Sequence, residues 1–335
     1  MHSGSSKLVV VLLASVALTA EARAQASYPC VNDAPNPYHL VNNWAQTPRP
    51  LGPVNSVTID SRDNIWAFDR CGAEGCSGSK NAPIFELSPE GKTLKNFGAG
   101  EFASAHSIAV DKDGNVWAAD FQAKDGKGEQ VIKFSPDGKV LLKLGTAGKQ
   151  GTGAGEFNQP TGVAALSNGD IVVTEGHGSK LNKSQVSIYT KDGKLIRTFA
   201  SHGTGEGQLT EPHAVAVDNQ DRIYVADRTG NRINVYDKNG KVLASWKQFG
   251  RPSGVYVDKN GLIYVADSQS DEKTNTGCKM GIRIGSVKDG KVMYYIPPPA
   301  GTNEKTPPPE GIAVDSKGNI YAAAVQRQEI LKYVK

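Results

Sequence analysis

One short pattern recurs six times along the chain, and a chain of such copies can only bury its apolar faces by stacking them. Each copy begins with an alternating apolar stretch that ends in Asp, at Asn55–Asp60, His106–Asp111, His213–Asp218, Ser253–Asp258 and Glu310–Asp315, with Thr161–Leu166 as the variant third copy. A turn follows, then a second alternating stretch: Ile65–Asp69, Val116–Asp120, Ile171–Glu175, Ile223–Asp227, Ile263–Asp267 and Ile320–Ala324. Copy starts are 51, 55, 52, 40 and 57 residues apart, the length of a four-stranded unit with variable loops. Third and fourth strands are legible in the second copy as Val131–Ser135 and Val140–Leu144, joined by an Asp-Gly turn. In the fourth copy they are Arg232–Tyr236 and Val242–Trp246, joined by Asn-Gly. Four antiparallel strands repeated radially make a propeller blade, so the expected fold is all-β, a six-bladed β-propeller. The last copy has a third strand, Glu329–Val334, and no fourth. The stretch Leu40–Trp44 is expected to supply it and so remove an open edge.

The expected organisation is a secretory signal at residues 1–26, an extension with the closing strand at 27–50, and the propeller at 51–335. Lys7, the apolar run Leu8–Ala20 and the small residues Ala22, Ala24 and Ala26 carry the signal reading, with cleavage near Ala24 or Ala26. That run is too short to span a bilayer, so a periplasmic or secreted protein without membrane insertion is expected. Export permits disulfides. Cys71 and Cys76 bracket a short loop, and Cys30 with Cys278 would tie the N-terminus to a late segment, although sequence leaves the pairing open. With 38 Lys+Arg interspersed among 34 Asp+Glu, the net charge of +4 carries no nucleic-acid footprint. A monomer is expected.

Function must come from positions where the copies differ. The start of strand one and the end of strand two share a face at the mouth of the channel. The first of these positions holds Asn55, His106, Thr161, His213, Ser253 and Glu310. Alternate blades stand about 120° apart, so His106, His213 and Glu310 converge. Two imidazoles and a carboxylate suit a divalent transition metal with an open position, zinc first by ligand type. The chain has only six histidines, and two of them fall in this one register. Strand-two ends add Arg70, His177 and Arg228. The arginines offer planar forks for an anionic small-molecule or peptide substrate, and His177 could move a proton. The ordinary alternative for each arginine is an ion pair with its neighbouring repeat acid, Asp69 or Asp227.

The repeats Pro212–Arg228 and Val131–Gly138 resemble those of the NHL-repeat family of six-bladed propellers. Within that family the site resembles the peptidyl-alpha-hydroxyglycine alpha-amidating lyases, which cleave a peptidyl hydroxyglycine to a peptide amide and glyoxylate at a zinc site. The resemblance implies that His106 and His213 are two of three zinc histidines and that Arg70 and Arg228 are active-site arginines. Three positions depart from it. His177 stands where the family has its catalytic tyrosine, Glu310 where it has the third zinc histidine, and Gly311 where an aspartate helps hold a structural calcium. A metal-dependent lyase-like enzyme is therefore the first expectation. A non-catalytic binding propeller for protein, polysaccharide or small molecule, and a metal-dependent hydrolase or lactonase, are the alternatives.

Overall fold

The structure is a computed structural model and describes residues 1, 30–153, 155–178, 181–302 and 308–335. The proposed signal segment, apart from Met1, and part of the proline-rich loop before Glu310 lie outside the described residues. Six four-stranded antiparallel sheets form the ring. Strand β1 is His39–Val41, and the first blade is β2 to β5: Val54–Ile59, Ile65–Asp69, Ile84–Leu87 and Thr93–Phe97. The second is β6 to β9: Ala105–Val110, Val116–Asp120, Gln130–Phe134 and Val140–Leu144. The third is β10 to β13: Pro160–Ala165, Ile171–Glu175, Gln185–Tyr189 and Leu195–Phe199. The fourth is β14 to β17: Pro212–Val217, Ile223–Asp227, Arg232–Tyr236 and Val242–Trp246. The fifth is β18 to β21: Pro252–Val257, Leu262–Asp267, Gly281–Ser286 and Val292–Ile296. The sixth is β22 to β24, Gly311–Val314, Ile320–Ala324 and Glu329–Val334, with β1 as its outer strand.

The spacing of the repeat has a local cause. At the end of strand one, the Asp111 carboxylate accepts the backbone N–H groups of Asp113 and Asn115 and the indole N–H of Trp117. One carboxylate thus closes the turn and anchors the next strand. Asp218 does the same with Gln220, Arg222 and the Tyr224 hydroxyl, and Asp315 with Lys317, Asn319 and Tyr321. In the third blade Leu166 replaces the Asp and Val172 the aromatic, so both halves of the contact are absent together.

Every second strand is buried along its length, apart from half-buried Leu262 at the start of β19, because both of its faces meet neighbouring blades. A separate apolar core fills each of the six blade-to-blade seams. One contains Trp66, Phe102, Ile132 and Phe134, and another Tyr224, Trp246, Phe249 and Val265. The fourth strands β5 and β9 alternate between half-buried and exposed residues along most of their length, because only one of their faces packs.

Closure occurs as expected, although the pairing strand is shorter than Leu40–Trp44. His39, Leu40 and Val41 pair with Val334, Tyr333 and Lys332. Asn43 then adopts a left-handed φ of 52° and turns the chain inward. Trp44 enters the seam between the last and first blades, with its ring centroid 4.9 Å from that of Tyr321 and its indole N–H donating to Pro89 O at 3.0 Å.

Ahead of the closing strand, the extension is fastened to the fifth blade. Cys30–Cys278 and Cys71–Cys76 are disulfides, which suit folding in an oxidising compartment. Fully buried Arg283 donates to Val31 O at 2.7 Å, to Asn32 Oδ1 at 2.8 Å and to Asp267 at 3.1 Å. Among the described residues no helix is long and apolar enough to cross a membrane.

Between the second and third blades lie three buried acids, Asp120, Glu129 and Glu175, and among the described residues only Glu175 has a salt-bridge partner, Lys183 at 3.0 Å. Burial pushes Glu129 up to about 7, with Glu175 and Asp120 adding to the shift and amides of Gln159 and Ala123 opposing it. An acid whose folded pKa is raised contributes its stability below the unfolded value and loses it as pH rises through the folded one. Glu129→Gln should therefore gain stability over the parent protein as pH rises from about 4.5 to 7, reaching about 2 kcal/mol. Denaturant melts of both proteins across that range check the sign, and parallel curves would contradict it.

Candidate active site at the channel mouth

The first strands β2, β6, β10, β14, β18 and β22 surround a central cavity of about 160 Å³, apolar below and polar at one mouth. Its geometry at that mouth comes from irregular pairing. In β2, β6, β10, β14 and β18 the register with strand two shifts at the second residue, which is Asn55, His106, Thr161, His213 or Ser253. A residue left out of the ladder in this way is free to be re-aimed. In His106 and His213 the ring turns toward the axis, and each Nδ1 lies 2.7 Å from a backbone carbonyl of the next blade, Thr161 O and Ser253 O respectively. A carbonyl can only accept, so Nδ1 carries the proton and Nε2 presents a lone pair.

The two rings stand with centroids 4.7 Å apart, and His177 completes a triangle at 5.5 Å from His106 and 5.2 Å from His213. One donor atom from each of the three lies within 4.8 Å of the others, the grouping of metal-ligating side chains that stands out among the described residues. Burial holds His106 and His213 well below the usual imidazole range, with neighbouring imidazoles and Arg228 adding to the shift at both and Arg70 at His106. His177 is lowered to about 4 by burial and by Arg228, against the opposing Glu211. All three are neutral at pH 7, the protonation state that binds a metal.

Glu310 was expected beside both metal histidines. Its Oε2 lies 3.9 Å from His213 Nε2, and it does not join the three-imidazole group. Gly311, next to it, is required by close packing: a Cβ there would stand 2.7 Å from Asn55 O and 2.9 Å from Ser56 Cα. The aspartate that the resemblance associates with calcium therefore has no room at this position.

Arg70 and Arg228 each follow a second strand whose terminal acid is tied to the incoming loop. Asp69 accepts the Gly52 and Cys71 amides and pairs with Arg49, while Asp227 accepts those of Thr210 and Glu211 and pairs with Arg232. Neither acid is therefore the partner of Arg70 or Arg228. Arg228 instead pairs with Glu211 at 2.7 Å and donates to His177 Nε2 at 3.0 Å. Among the described residues Arg70 has no salt-bridge partner, and its Nε is buried without a hydrogen bond. Burial depresses its pKa, with Glu310 and Glu74 opposing. Its guanidinium stands 5.8 Å from the Phe121 ring, and that ring also packs on His106 and His177 at 4.8 and 5.3 Å.

Phe121, Glu211 and Arg251 were missed from sequence. Phe121 occupies the register of Arg70 and Arg228, so the rule that found the arginines reaches it once apolar residues are admitted. Glu211 and Arg251 each precede a strand-one residue by two positions, a column in which the other copies give no chemical signal. Glu211 binds Arg228 and the Thr229 hydroxyl and lies 3.7 Å from His177 Nδ1, while Arg251 donates to Thr229 Oγ1 at 3.3 Å.

Fold, repeats and site together define a six-bladed β-propeller whose channel mouth carries three convergent imidazoles and an arginine free of salt bridges among the described residues. The NHL repeat family matches residues 157–181, 209–236 and 249–270. Two similar proteins bear on the site. NHL repeat-containing protein 3 of Homo sapiens is 28% identical over 307 residues, covering 89% of this chain and 84% of that protein. Peptidyl-alpha-hydroxyglycine alpha-amidating lyase 1 of Drosophila melanogaster is 30% identical over 230 residues, covering 60% of this chain and 40% of that protein. The chain thus spans well under half of that lyase. A gluconolactonase from Xanthomonas campestris superposes with a TM-score of 0.59 at 15% identity, over 85% of this chain and 86% of that one, a likeness of fold.

Proposed function

We propose that this protein is an exported, metal-dependent lyase that cleaves an N-acyl-alpha-hydroxyglycine to an amide and glyoxylate. The observation that carries the reading is the cluster of His106, His177 and His213 facing Arg70, which has no salt bridge among the described residues, across one channel mouth. The donor set fits a zinc-type ion, because two imidazoles are locked with Nδ1 on carbonyls and offer Nε2 inward. His106 and His213 would hold that ion. Of the two groups flanking them, Glu310 and His177, one completes the ligand set and the other moves the proton. When bound, the ion would polarise the oxygen atoms of the substrate.

The substrate ends in a carboxylate, and Arg70 is the cation placed to receive it. Arg228 is already neutralised by Glu211 and serves to orient the groups around it. In the reaction the hydroxyl loses its proton to the base, its electron pair forms the aldehyde C=O, the C–N bond breaks, and the amide nitrogen takes the proton. Phe121 closes the wall between Arg70 and His177 and excludes water from the breaking bond.

Glyoxylate release from an N-acyl-alpha-hydroxyglycine by zinc-loaded protein tests the reading. Turnover is expected, and Arg70→Leu should raise KM about tenfold or more by leaving the carboxylate unpaired. Protein holding one metal ion per chain that releases no glyoxylate would refute the lyase chemistry while leaving the metal site standing.

A further inference from the structure

We propose that His177, rather than Glu310, is the third protein ligand of the ion held by His106 and His213, which leaves Glu310 as the free carboxylate beside it. The inference rests on the metal reading above and reverses the roles that repeat register assigns to these two residues.

Proximity is the first argument. The three imidazoles reach one another within 4.8 Å through single donor atoms, whereas Glu310, although 3.9 Å from His213 Nε2, is not part of that mutually close group. The surroundings of Nδ1 are the second. A metal-bound histidine gives its other nitrogen to an oxygen acceptor, which fixes the tautomer and aims the ring. His106 has Thr161 O at Nδ1, and His213 has Ser253 O. His177 has the Glu211 carboxylate at 3.7 Å from its Nδ1. An oxygen thus lies near Nδ1 at all three rings, a hydrogen-bonded backbone carbonyl at His106 and His213 and a carboxylate just beyond hydrogen-bond distance at His177.

The backbone argues in the same direction. His177 directly follows Gly176, whose φ of 126° is closed to side-chain-bearing residues and where a Cβ would stand 2.6 Å from Ser184 Oγ. The Gly176 amide donates to Gln159 O, so the turn that projects the imidazole over the channel is fixed at its base. Arg228 Nη2 lies 3.0 Å from His177 Nε2 and is itself retained by Glu211. Ligation through Nε2 therefore exchanges this one hydrogen bond for the ion, and Arg228 keeps its carboxylate partner.

Titration of chelator-stripped protein with Co²⁺, read by visible absorption and by Zn²⁺ competition, tests the assignment. His177→Tyr and His177→Gln should each weaken binding about a hundredfold and change the cobalt spectrum, while Glu310→Gln stays within about threefold of the parent. X-ray absorption of the zinc-loaded parent protein should count three imidazoles, a readout that needs no variant to fold. Two imidazoles in that spectrum, or a Glu310→Gln loss equal to or greater than the His177 losses, would overturn the assignment. A parent protein that binds no metal, or a His106→Ala, His213→Ala double variant that binds as the parent does, would instead bring down the metal reading itself.

Discussion

Trp44→Ala should lower the melting temperature by about 10 °C, because it empties the seam that closes the ring, and removal of residues 27–50 should abolish the cooperative transition. Trp44 is 7% exposed, lies against Tyr321, donates to Pro89 O and has the Lys332 ammonium 5.4 Å from its ring. Truncating a buried tryptophan costs about 3–5 kcal/mol. In a ring, that loss falls at the one seam where the two ends of the chain meet, and there the last strands are joined to the start of the chain only by the hydrogen-bonded pairing of β1 with β24. Deleting residues 27–50 removes more. The closing strand, the Cys30–Cys278 disulfide and the Arg49–Asp69 ion pair, with Asp69 fully buried, all go together. Asp69 would then stay buried beside Arg70 without its partner. Calorimetry of both variants checks the expectation, and a deletion variant melting like the parent protein would mean that the ring does not depend on this closure.

The double variant His106→Ala, His213→Ala should bind no stoichiometric metal and lose turnover by about a thousandfold or more, while its melting temperature moves by only a few degrees. Both residues occupy the shifted position of a first strand, outside the ladder that pairs β6 with β7 and β14 with β15. Their removal therefore costs the two bonds to Thr161 O and Ser253 O and little else of the sheet. The carbonyls so released face a polar channel mouth where water can replace the ring nitrogens. Elemental analysis beside a thermal melt separates the two effects. Full metal content in the double variant would show that the imidazoles are not the site. Loss of metal with collapse of the fold would show that they are structural.

How much of this could be read from the chain differs between residues. The ends of the second strand in the second copy, Val116 and Asp120, were legible because Asp111, Trp117 and the turn between them form a contact spanning six residues. A contact that local leaves its mark in five of the six copies, and the third lacks both halves of it. His106 and His213 were legible by counting, since equivalent positions in equivalent blades must face the same axis. His177 was placed at the mouth by the same counting, but as a group that moves a proton. That it completes a triangle with His106 and His213 depends on Gly176, Ser184 and Gln159, which separate segments bring together. Glu211, the carboxylate that holds both Arg228 and His177, left no trace in the pattern because its column carries no common chemistry.

The chain alone therefore determined the number of blades, the order of strands within each, the closure by the N-terminal extension and the face on which the histidines gather. These follow from repetition, and repetition is a property of neighbours in sequence. Only the folded ring decided which side chains end within reach of one ion, that Arg228 is neutralised while Arg70 has no salt bridge among the described residues, and that Gly311 leaves no room for an aspartate. Those outcomes are distances of a few ångströms between residues tens to hundreds of positions apart, set by the packing of six seams at once.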